Sequence, residues 1–68
     1  MKIETAIQTA FKKLKNSNIK SALLDSELLL AEAINKSREF VILNSEEKIS
    51  NKKYYKFQNM VYQRSRGK

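Results

Sequence analysis

The sequence contains neither cysteine nor histidine. Without cysteine no disulfide can stiffen the fold, and thiolate metal sites are excluded. Without histidine the commonest metal ligand and the commonest general base are also missing. Proline is absent too, and glycine occurs once, at Gly67, so little inside the chain interrupts a helix. No stretch alternates with the period of two that a half-buried strand requires, which leaves helix as the reading throughout. No apolar run approaches the ~20 residues that span a bilayer. The opening MKIETAIQTAFKKLK lacks the continuous apolar centre and small-residue cleavage site of a signal peptide. Cysteine-free composition fits a reducing compartment, so the expected location is cytoplasmic, with no membrane partner.

What is present is 68 residues of uniform composition, read as a single helical domain over residues 1–68. A chain of this size buries only about 60% of the surface that it exposes when unfolded. Its stability is expected to be a few kcal/mol, so a covering partner could matter to it. The net charge of +7 and a pI near 9.9 raise nucleic acid as a partner. The distribution tempers that reading, because lysines crowd the two ends of the chain while Asp25, Glu27, Glu32, Glu39, Glu46 and Glu47 hold the middle. A merely solvated lysine-rich surface accounts for the charge equally well.

Periodicity divides the chain into helices. Over residues 2–15, Ile3, Ala6, Ile7, Ala10, Phe11 and Leu14 fall within an arc of roughly 140°, with Lys12, Lys13 and Lys15 outside it. Asn16-Ser17-Asn18 then carries turn chemistry. A second helix is predicted from an N-cap at Ser21 to Ile34. Its leucines and alanines cover most of the circumference and leave only an edge with Asp25 and Glu32. Such a helix is expected to be central and buried, with Leu29 packed among Ile7, Phe40 and Phe57. Asn35 suits a left-handed helix end. Ser37 can cap a short helix over Arg38–Leu43 whose Phe40, Val41 and Leu43 face inward, and a further helical turn is possible after Ser45. Ser50 caps the last helix, with Ile49 placed to staple onto Tyr54, although Lys53 stands where a capping box has Glu or Gln. Tyr54, Phe57, Met60 and Val61 form its buried stripe through to about Arg66. The predicted fold is all-α: a small bundle of four to five helices around a central apolar helix.

Catalytic chemistry is sought without success. There is no Gly-rich phosphate loop, no Cys or His for a nucleophile dyad, and Asp25 and Glu32 stand two helical turns apart. No catalytic, cofactor-binding or metal-ligating residue is assigned. One surface feature stands out: Tyr55 and Tyr62 lie at i and i+7, beside the buried stripe, with Arg66 near the same line. Tyrosines next to an arginine make a contact surface, since both give much area per immobilised side chain. They could also stack nucleic-acid bases, or simply widen the core-facing side of the helix.

Residues 23–40, LLDSELLLAEAINKSREF, resemble the N-terminal domain of release-factor glutamine methyltransferases, the HemK/PrmC family. That family has an Asp-Ala-Glu-Leu-Leu-Leu-Ala core, then Leu-Gly, then Arg and a hydrophobic pair. Here Asp25-Ser26-Glu27-Leu28-Leu29-Leu30-Ala31 is followed by Arg38 and Phe40, with Asn35 in place of the Gly. Ile49-Ser50 is similar to the family's Leu-Ser before its long helix. Arg64, Arg66 and Gly67 resemble the Arg-Arg-x-x-Gly that closes that helix, with slightly altered spacing.

The resemblance implies an excised N-terminal domain. Its parent would be an S-adenosylmethionine-dependent enzyme that methylates the glutamine side-chain nitrogen in the Gly-Gly-Gln motif of peptide-chain release factors. Cofactor and chemistry would belong to a following Rossmann-like domain, and this chain would hold no cofactor. Its expected role is to recognise and orient the release factor, with Tyr55, Tyr62 and Arg66 as the residues for that partner or for the chain's own catalytic domain. The alternative is a free-standing basic helical domain that binds RNA or DNA, against which stands the lack of a helix-turn-helix pattern. A third reading is a docking domain that only stabilises its parent.

Overall fold

The computed structural model describes residues 1–67 and contains four helices among them: α1 (Ile3–Asn16), α2 (Ala22–Ile34), α3 (Arg38–Leu43) and α4 (Asn51–Ser65). The protein is an all-α bundle in which α2 touches each of the other three helices. Its core is built from Ile3 and Leu14 of α1, Leu30 and Ile34 of α2, Val41 of α3, and Phe57 and Val61 of α4. Small residues on the facing surfaces let the helices approach closely: Ala6 and Ala10 on α1, Ala22, Ser26 and Ala33 on α2 are all buried. Ser26 is fully enclosed, and its hydroxyl donates to the Ala22 carbonyl at 2.7 Å, so no polar atom is stranded.

Local chemistry sets most of the helix ends. The Ser37 hydroxyl accepts from the Phe40 N–H at 3.0 Å and the Ser50 hydroxyl from the Lys53 N–H at 3.2 Å, so both serines cap as expected. Ile49 is buried and Tyr54 is half-buried against the core. Asn35 adopts φ 59°, and the Lys36 N–H returns to the Ala31 carbonyl at 2.9 Å. The same closure ends α1, where Asn18 has φ 64° and the Ile19 N–H reaches the Leu14 carbonyl at 3.1 Å. Asparagine takes the left-handed place that glycine usually fills.

Two expectations are narrowed and two corrected. Ser21 is the N-cap residue of α2, as expected, but its side chain makes no cap bond. Residues 44–47 form a turn and not a fifth helix: the Ser45 and Glu47 carbonyls accept from the Glu4 and Ile3 N–H groups at 2.9 and 2.8 Å. That turn thereby satisfies the first N–H groups of α1, whose N-cap residue Lys2 has no side chain to do so. Leu43 does not face inward but is 81% exposed, because it lies about 200° around the six-residue α3 from the buried Val41. Finally, α2 is central without being buried all round. Three neighbours cover only part of its circumference, so Leu23, Leu24 and Leu28 remain about half exposed, and Leu29 is half-buried while Leu30 is enclosed.

Candidate functional site

The buried stripe of α4 consists of Phe57 and Val61, with Tyr54 and Met60 half-buried at its margins. Next to it, Tyr55, Gln58, Tyr62 and Arg66 follow one another at steps of three and four and so share a face. The structure places Tyr55 at 67% and Tyr62 at 50% exposure, outside the core. Arg66 Nη1 donates to the Tyr62 hydroxyl at 3.0 Å, and its guanidinium carbon lies 5.5 Å from the centre of that ring. From the other side of the helix pair, Lys13 of α1 brings its ammonium to 5.7 Å from the same ring. Tyr62 and Arg66 are therefore brought together, joined by Lys13. Tyr55 stands apart, two helical turns along the axis, bordering a shallow depression with Met1, Asn51, Tyr54 and Gln58.

Between α1 and α4 runs a groove of about 110 Å³, lined by Ala6, Ala10, Phe57 and Val61 together with Thr9, Lys13, Tyr54 and Gln58. It exists because α1 meets α4 through alanines, whose methyl groups do not fill the space between the helix shoulders. Sites for small molecules or cofactors span roughly 300–1,000 Å³, so this groove has the size for a single side chain. Lys13 and Gln58 were not distinguishable in the sequence as site residues. The only signal was that Lys13 follows Ala6 and Ala10 at i+7 and i+3, on the flank of α1 that lacks bulk.

A family model described as the PrmC N-terminal domain matches residues 5–68. The chain belongs to the PrmC N-terminal domain family. Neither the curated proteins nor the solved structures contain a significant match to it.

In this PrmC N-terminal domain the charged residues of the family-like stretch tie helices together. Asp25 accepts from Arg64 Nε at 2.9 Å, which fixes α4 on α2, and Glu27 accepts from Arg38 at 3.0 Å, which fixes α3 on α2. Both carboxylates are largely buried while the arginines keep about 40% of their side chains in solvent. Asp25 and Glu27 thus point to different neighbours, and Glu32 is exposed and takes part in neither pair. Among the described residues no group of three or more carboxylates could hold a metal ion, and no helix is long and apolar enough to cross a membrane.

Pairing leaves an uneven charge. Besides the paired Arg64, α4 carries three lysines and no acidic residue, and α1 has only Glu4, in its first turn, against three lysines towards its end. Both helices are therefore net basic, and α4 carries the two exposed tyrosines.

Proposed function

We propose that this chain is the substrate-orienting N-terminal domain of a methyltransferase that modifies the glutamine of the Gly-Gly-Gln motif in peptide-chain release factors. Family membership carries this reading. The protein partner would meet the α1–α4 side, through Tyr55, Tyr62 and Arg66. Exposed aromatics beside a guanidinium, rimmed by charge, have the composition of an interface that forms and releases. S-adenosylmethionine would bind in the parent's own catalytic domain, which performs the chemistry.

A second uncovered surface suits that catalytic domain. Leu24 and Leu28 lie one turn apart on the open side of α2, about half exposed, and no other helix covers them. Apolar faces of this kind mark contacts, and permanent interfaces are the more apolar ones. The absence of cysteine makes the division simple to test, because one introduced thiol is the only one in the domain. Leu24→Cys should react freely with a maleimide in the 68-residue chain and be protected in the full-length enzyme. Tyr55→Cys should react in both and become protected only when release factor is added. Equal labelling of Tyr55→Cys with and without release factor would remove the support for this face.

The net positive charge of α1 and α4 also favours a second reading, nucleic-acid binding. That reading requires an affinity that falls log-linearly and steeply with salt.

A further inference from the structure

The groove between α1 and α4 is lined by Lys13, one of the two cations that converge on Tyr62. Its floor is apolar, made by the methyl groups of Ala6 and Ala10, the Phe57 ring and Val61. Lys13 belongs both to the groove lining and to the pair of cations at the Tyr62 ring. Neither Lys13 nor Arg66 has a carboxylate within 4 Å among the described residues, as holds for every described lysine and arginine except Lys2, Arg38 and Arg64. The molecule thus places a one-side-chain apolar slot beside Lys13, with Arg66 at the same Tyr62 ring and neither cation matched by an acid of the described residues.

The geometry points to a peptide site that takes one apolar side chain of an acidic segment of a protein partner, with flanking carboxylates engaging Lys13 and Arg66. It rests on the reading of the α1–α4 side as the substrate-facing one, and names what that side recognises. Charge complementarity selects the occupant. A basic segment would be repelled by an acid-free helix, and a neutral apolar one would leave both cations unanswered beside it. A carboxylate between them gains charge-assisted hydrogen bonds, which are stronger than neutral ones. Nucleic acid fits less well. The slot is lined by methyl groups and a buried phenyl ring and not by a flat exposed platform, and bases bind by stacking on exposed rings. Lys13 is the one cation among the lining residues, too few for a phosphate track. Gln58, on the opposite lip from Lys13, is placed to hydrogen-bond the backbone of an extended segment lying over the slot.

The test uses the 68-residue chain, labelled with nitrogen-15, titrated with a blocked pentapeptide of sequence Glu-Glu-Leu-Glu-Glu. One leucine and exposed charges give Kd on the order of 1 mM, with shifts concentrated at the amides of Ala10, Lys13, Gln58 and Val61. Replacing the peptide's leucine by serine should weaken binding about tenfold or more, the value of burying one leucine. Lys13→Glu and Arg66→Glu, both at exposed positions, should each weaken it about threefold with unchanged melting temperature. Three results would overturn the proposal: no saturable shifts at the groove, equal binding of the serine peptide, or tighter binding of a thymidine oligonucleotide at the same amides. The full-length enzyme separates this failure from that of the wider reading. If deleting the domain raises KM for release factor while Lys13→Glu leaves it unchanged, the domain orients substrate but the groove is not the contact.

Discussion

On α2 a single step along the chain decides whether a leucine belongs to the core. Leu30 is fully enclosed, while Leu29 keeps part of its surface in solvent, because the 100° between them turns one into the core and leaves the other at its margin. Leu30→Ala should therefore cost about 2–5 kcal/mol, most of what so small a domain has. Urea denaturation should show much of the variant unfolded in buffer, and a loss below about 1 kcal/mol would mean that the core is centred elsewhere. The sequence pattern could not separate these two leucines, since nearly every face of α2 is apolar and periodicity has nothing to distinguish. Ser26 escaped notice for the converse reason: a polar residue in an apolar run reads as an edge. Its hydroxyl is instead satisfied within its own helix and its small size is what the packing uses.

At the scale of elements, what was legible depended on how local the cause is. Ser37, Ser50 and Asn35 act on neighbours three to five residues away, and each does what its sequence context suggests. The start of α1 is different. Its N–H groups are satisfied by carbonyls of residues 45 and 47, more than forty positions along the chain, which no local pattern announces. The ion pairs are long-range as well: Asp25–Arg64 and Glu27–Arg38 explain why acids and arginines recur in a stretch that otherwise reads as packing. With a largely buried carboxylate and a partly exposed arginine, Asp25–Arg64 should be worth about 1 kcal/mol of coupling, between an exposed pair and a buried charged hydrogen bond. A double-mutant cycle with Asp25→Asn and Arg64→Gln measures it. Zero coupling would show that apolar packing alone seats α4 on α2.

For the whole molecule, the bundle followed from helical periodicity and the lack of breakers, and the line of Tyr55, Tyr62 and Arg66 from the arithmetic of one helix. The groove beside that line did not, because it is made by what two helices fail to fill between them. Nor could charge totals reveal that pairing would consume Arg38 and Arg64 yet leave Lys13 and Arg66 facing outward. This outward face is proposed to orient a protein substrate while contributing little to folding. Replacing Tyr55 and Tyr62 together by alanine in the full-length enzyme, and following methyl transfer to release factor, tests it most directly. The account predicts a raised KM for release factor, unchanged affinity for S-adenosylmethionine, and an isolated domain that melts within a few degrees of the parent sequence. An unchanged KM, or a domain that unfolds when the tyrosines are removed, would contradict it.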